Sequence, residues 1–431
     1  MARLALLLLS IFLFYSCKKE KQQEKEKPIT GCYTPKTNDK DWYTSGKKAP
    51  LFQGLEGIRF TISTANSETQ RYFNQGMMLA YGFNHAEAAR SFYEATRIDS
   101  SCAMAYWGYA YVLGPNYNGG MEPDHYERAY AAVTKAQALS KNGPVLEKAL
   151  INALATRYVP TPPTDRSGLD IAYAAAMKKV YSQYPSHPDI GALYAEAMMD
   201  LHPWDLYEKA TLKPKTWTPE LITILEKMMK TNPKHPGAHH FYIHALEASA
   251  TPEKALASAH LLDTLVPGAG HMLHMPSHIY LNTGDYHLGT LANLRAVSVD
   301  SLYTTSCHAQ GVYPLAYFPH NYHFLAATAT LEGNSKLAWE AAEQIQKHTA
   351  TAIMDQPEWG TLQHYYTIPY YIGVKFGMWD RLLALPAPEK KLLYPEAIWH
   401  YARGMAYIGK RDLTNAQKEA DALKTIAADT S

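Results

Sequence analysis

Two histidine pairs recur at a fixed interval in the middle of the chain. His240 and His244 are four residues apart, as are His274 and His278, and the pairs are in register, since 274 − 240 = 34 and 278 − 244 = 34. That interval is the length of one helix–turn–helix unit in an array of stacked helix pairs. Residues four apart share one face of a helix, so the same face of the same helix recurs in neighbouring units. Packed helices lie ~8–10 Å apart, which brings four imidazoles toward one small volume. The spacing therefore limits the fold to an all-α array and poses a chemical question at once.

The rest of the chain follows the same period from Glu68 onward. Tyr106 follows Tyr72 by 106 − 72 = 34 residues, and Gly76, Ala88 and Ala95 are the small residues that let paired helices approach. The loop formers of 115–128 and 159–168 interrupt the array. His187-Pro188 matches His235-Pro236 at an offset of 235 − 187 = 48, which is one period of 34 plus an insertion of 14 residues. The insertion falls within 202–220, where His202, Trp204, Asp205 and Trp217 are placed to form either a lid over the array or a hydrophobic plug against its edge. In this register Glu196 takes the position of His244. A second insertion follows Asp300, after which Gly333 matches Gly284, His320 takes the slot of His271 and His323 that of His274. His364 and Pro369 match His271 and Pro276. Pro276 lies between His274 and His278 and must interrupt or kink its helix. Residues 68–431 read as one continuous all-α solenoid, because repeat arrays grow without domain breaks.

The amino terminus reads differently. Arg3 precedes an apolar run, Leu4 to Tyr15, too short for the ~20 residues that a bilayer requires, so residues 1–16 read as a secretory signal. The sequence Phe14-Tyr15-Ser16-Cys17 resembles a bacterial lipoprotein box. That resemblance implies diacylation of Cys17, a membrane partner through the lipid anchor, and a place in the bacterial cell envelope facing periplasm or exterior. Residues 17–67 then form the lipidated tether and an irregular leader packed on the first repeat, with a weak strand-like run at 58–62. Cys32, Cys102 and Cys307 remain and allow one disulfide. A formal net charge of +1 over 431 residues offers no electrostatic footprint for nucleic acid.

The repeat pattern, with YWGYAYVLGPNYN, HPWDLY, HHFYIHALE and GHMLHMPSHIY, resembles bacterial tetratricopeptide-repeat (TPR) lipoproteins, a group that brings no assigned activity. The TPR resemblance implies an orientation, in which residues at repeat positions 2, 5, 9, 12 and 13 of each first helix face a concave groove. With Gly284 as position 15, His271, His274 and His278 fall at 2, 5 and 9, and His240, His244 and Glu247 at 5, 9 and 12. Glu196 falls at 9, and His320 and His323 at 2 and 5.

Imidazoles converging in this way suit a transition metal such as Zn, Cu or Fe. The expected ligands are His240, His244, His274 and His278, with His271, His323 or Glu196 completing the set. Glu196 and Glu247 are the candidates to orient a ligand or to activate bound water, and hydrolysis or oxidation are the reaction classes that an open coordination position serves. The sequence lacks H-E-x-x-H, so a metalloprotease mechanism is not indicated. A metal-free reading treats the groove as a site for a protein, peptide or small ligand, to which the 32 tyrosines lend contact area with polar tips. The plainest reading makes the array a scaffold whose histidines are satisfied internally.

Overall fold

The computed structural model describes residues 35–36, 38–389 and 392–429. The signal segment, Cys17 and Cys32 lie outside them. After a short helix α1 (Lys40–Thr44), the chain forms consecutive antiparallel pairs. These are α2 (Ser67–Tyr81) with α3 (His85–Ile98), α4 (Ala103–Val112) with α5 (His125–Leu139), α6 (Val145–Ala155) with α7 (Ser167–Gln183), and α8 (Pro188–Leu201) with α9 (Thr218–Thr231). Then come α10 (Pro236–Glu247) with α11 (Leu256–Leu265), and α12 (Gly270–His274) and α13 (Pro276–Thr283) together against α14 (Tyr286–Cys307). The last pairs are α15 (Phe318–Leu331) with α16 (Ser335–His348), α17 (Thr361–Lys375) with α18 (Trp379–Ala384), and α19 (Leu393–Gly409) with α20 (Leu413–Ala427). Each pair also packs on the next, so the fold is an all-α solenoid. Among the described residues there is no strand beyond two isolated bridges, and no helix is long and apolar enough to cross a membrane.

Local sequence explains the boundaries. His-Pro starts α10: Pro236 supplies the first helical φ, and the His235 ring accepts the Ala238 N–H at 3.0 Å. Gly284 and Gly333, equated by the repeat register, both end helices in the left-handed region, at φ 89° and 84°. Pro276 splits its helix into α12 and α13, as its missing N–H requires, but Pro369 lies inside an unbroken α17. Cys102 and Cys307 are free thiols.

The leader is extended rather than a strand. Ala49, Leu55, Ile58, Phe60 and Ile62 are buried against α2, and glutamines replace a partner strand. Gln75 bonds Pro50 O and Phe52 N–H at 2.8 Å each, and Gln70 bonds Phe60 O at 2.9 Å and Ile62 N–H at 3.0 Å.

The array is not an open superhelix in its middle. The carboxyl end of α2 folds onto α10, between α8 and α10, and Tyr81 is the wedge. Its hydroxyl donates to Asp189 at 3.0 Å, and its carbonyl accepts from His240 Nδ1 at 2.5 Å. Gly237 makes room, since a Cβ there would stand 2.8 Å from the Tyr81 ring. As a result α10 is buried on almost every face from Pro236 to Leu246. The Gly237→Ala substitution is therefore expected to cost about 1–3 kcal/mol by overpacking this seam. A urea unfolding midpoint equal to wild type would contradict that close approach.

Candidate metal centre

The histidines of the repeat meet under this seam, in a buried interior rather than on an open groove floor. His240, His244, His271, His274 and His278 are all at most 5% exposed. They do not surround one point. His240, His244 and His271 form one trio, and His274, His278 and His320 a second, with the facing nitrogens within each trio no more than 4.8 Å apart. Each i, i+4 pair thus recruits a third ring, and the expected four-histidine set is divided between two groups.

The hydrogen bonds fix which nitrogen faces inward. A backbone carbonyl and a carboxylate only accept, so His240 Nδ1 must donate to Tyr81 O, and His244 Nδ1 to Glu247 Oε1 at 2.7 Å. His278 Nδ1 pairs with the other Glu247 oxygen and, facing an acceptor, carries its ring proton there. Asn293 gives its amide N–H to Gly289 O at 2.8 Å, which turns its oxygen toward His274 Nδ1 at 2.7 Å. Four of the six rings therefore carry their neutral-state proton on Nδ1 and present a bare Nε2. In the first trio the Nε2 atoms of His240 and His244 and both ring nitrogens of His271 are buried without a partner. Such orphans cost about 1–3 kcal/mol each. A ligating histidine whose second nitrogen donates to a carbonyl or carboxylate is the usual construction of a metal site.

Electrostatics keep the rings in their ligating form. Burial holds His240, His271, His274 and His320 well below the ordinary histidine range, and neighbouring imidazoles push the same way. Burial also lowers His244, against the pull of Glu247. Burial alone would raise the Glu247 carboxyl, but His278 and His244 outweigh it and keep the group ionised.

Aromatic rings wall the centre. Phe83 lies 4.6 Å from His240, 5.7 Å from His244 and 5.8 Å from His271, between ring centroids. Phe324 has the matching place in the second trio, at 4.7, 4.3 and 4.7 Å from His274, His278 and His320. On the outer side Tyr117 stands 5.3 Å from His244, with the 55% exposed Trp204 stacked on it at 5.2 Å. Tyr317, held by Asn118 at 3.0 Å, stands 4.9 Å from His271. Phe83 and Trp204 both adopt left-handed backbone, at φ 54° and 56°, a strain of about 1–3 kcal/mol each that clusters at functional sites. Trp204 is thus the part of the 202–220 insertion that reaches the centre. Trp217 instead stacks on His202 at 3.7 Å.

Two of the expected residues lie elsewhere. Glu196 is instead the partner of Tyr111 of α4 and lies near Asp200 and Arg157, where burial, with the Asp200 carboxylate, pushes its carboxyl up to about 8. His323 sits with His364 and Tyr365, at 5.5 and 5.4 Å, and His320 supplies the third ring in its stead. A π-helical turn at Tyr313–Tyr317 leads into α15. Its Tyr313 hydroxyl links the His271 N–H, at 3.2 Å, to Asp300, at 2.7 Å. His320 was legible as a match to His271. Phe83, Asn293 and the Tyr81 carbonyl carried no such signal.

No family model and no curated protein matches the chain. Among solved structures it is similar to the human IFIT1 dimer with m7Gppp-AAAA, at 15% identity over 85% of this chain and 92% of that one, with a TM-score of 0.32. It is also similar to the TPR domain of P58(IPK), at 15% identity over 83% and 93% with a TM-score of 0.21. Yeast Tom70 gives 10% identity over 84% of each chain and a TM-score of 0.27.

The depressed histidines set the acid stability of the metal-free protein. Below ~6.5, the unperturbed histidine value, the unfolded chain takes up protons that the native rings refuse. Stability is then full above that pH and lost as pH falls, by up to about 1.4 kcal/mol per pH unit per histidine. Burial raises Glu87, Glu122, Glu196, Asp200 and Asp300, which pull the other way, but the lowered rings of His240, His244, His271, His274 and His320, with His85 and His323 also lowered, outnumber them. Chelator-treated protein is expected to unfold at lower urea at about pH 5.5 than at about pH 7.5. Equal midpoints would contradict neutral native imidazoles.

Proposed function

We propose that this is a transition-metal protein whose helical-repeat body holds an ion at the buried histidines, with His240, His244 and His271 as the primary ligands. The observation that carries the reading is the set of buried imidazole nitrogens that face one another without a protein hydrogen-bond partner. Neutral imidazole suits Zn, Cu, Fe or Ni. Three histidines leave a position open on a four-coordinate ion. An ion so held lowers the pKa of a bound water toward ~7, which makes hydrolysis or oxidation the reaction classes in view. Glu247 orients His244 from outside the ligand set, and Tyr117, Trp204 and Tyr317 limit access.

A helical-repeat scaffold also fits a protein-binding role, and one surface favours it. Tyr371 and Tyr394 join hydroxyls at 3.1 Å on α17 and α19, His364 meets Tyr394 at 3.2 Å, and the exposed Tyr401 continues the row. We place a protein or peptide ligand there as the second reading. The amino-terminal sequence adds a lipid anchor at Cys17 and a bacterial envelope location to the proposal. With Cys17→Ser, the chain is expected to leave the membrane fraction of its host; unchanged fractionation would remove the anchor.

The metal reading is tested on protein purified without a histidine tag. Bound transition metal is expected on elemental analysis, and added metal should raise stability by about 2.7 kcal/mol at a hundred times Kd. The His271→Phe substitution should have opposite effects in the two states. It removes two orphaned nitrogens, so the metal-free form should be as stable as wild type or more so, while the stabilisation by metal shrinks. Wild type that carries no metal and is unmoved by Zn, Cu, Fe, Mn or Ni would overturn the reading.

A further inference from the structure

The second trio has a feature that neutral rings alone do not explain. His274 and His278 both spend their ring proton at Nδ1, on Asn293 and Glu247, yet their Nε2 atoms stand 2.8 Å apart. His320 Nε2 stands 3.1 Å from His274 Nε2, with its Nδ1 3.4 Å from the Tyr365 hydroxyl. Two lone pairs of neutral rings repel at that distance unless a cation or an added proton lies between them. The rings of this trio are also close to those of the first: His271 to His274 is 5.7 Å and His244 to His278 5.8 Å between centroids, within the range found inside each trio.

We infer that His274, His278 and His320 hold a second divalent transition-metal ion, and that Glu247 joins the two sites into one two-ion centre. The inference rests on the metal reading above. Glu247 is suited to this because a carboxylate accepts at both oxygens: one takes the Nδ1 proton of His244 in the first trio, the other that of His278 in the second. It is a positioning residue and touches neither ion. A glutamine of the same shape would accept at one end and donate at the other. The imidazole facing its amide N–H must then shift its proton to Nε2, and so loses the lone pair that faces the ion. One carboxylate therefore sets the tautomer of a ligand in both sites.

The test uses the full chain without a histidine tag, stripped with chelator and titrated with Zn(II), and with Co(II) for its visible spectrum. Wild type is expected to take up about two equivalents. His320→Phe, which lies apart from Glu247 and at the partly exposed edge, should bind about one, with the first site's Co(II) spectrum retained. Glu247→Gln should weaken at least one site by about 10–100-fold, while Glu247→Asp restores part of the loss. Circular dichroism of each variant separates lost binding from lost folding, and a misfolded variant is replaced by His274→Phe or Glu247→Asp. Uptake of about one equivalent by wild type, unaffected by His320→Phe, would overturn the second site and leave a shared proton between His274 and His278, with the first reading intact. Two sites that Glu247→Gln does not weaken would overturn the coupling. No uptake at all would overturn the metal reading itself.

Discussion

The structure depends on the contact that sets the end of α2 against α10. Tyr81 supplies its ring to Gly237, its hydroxyl to Asp189 and its carbonyl to His240. Without that wedge the middle of the solenoid would present its histidines on an open surface, where water would satisfy every ring nitrogen. With it, the rings are desolvated and the turn after α2 delivers Phe83 to the first trio. One tertiary contact thus converts a groove into an interior, and only in an interior do bare nitrogens carry a cost.

That cost is large on the scale of protein stability. Four orphaned nitrogens in the first trio, at about 1–3 kcal/mol each, and strained backbone at Phe83 and Trp204 together approach the ~5–15 kcal/mol net stability of a typical domain. An apolar set of side chains would fill the same space at no such cost. The proposed ion would be of a size to offset it, since structural zinc contributes about 10–16 kcal/mol. Glu247 is held ionised by the two imidazoles that face it. Its two oxygens order one ring in each trio.

Particular residues show how far the sequence could be read. The period gave the helices, and the proline at 276 gave a break where the structure has one. At Pro369, its counterpart in the register, α17 runs through the proline as one helix. Glu247 stands between the two histidine pairs, on the histidine side where its repeat position put it. Glu196 had an equally good register argument, yet Tyr111 of α4 takes its carboxylate. His323 meets His364 and Tyr365 while His320 joins the second trio, and no periodic pattern records the π-helical turn that precedes α15.

The sequence by itself determined the all-α repeat and the clustering of histidines on one side of it, because helix periodicity and repeat length are local properties that a single chain displays. It could not decide how those histidines divide, which nitrogen each one presents, or what shields them. The tertiary structure decided these, since they rest on contacts such as His240 with Tyr81, which are 159 positions apart in the chain. Partners that distant are chosen by the way helices close on one another, and a local pattern holds no trace of that choice.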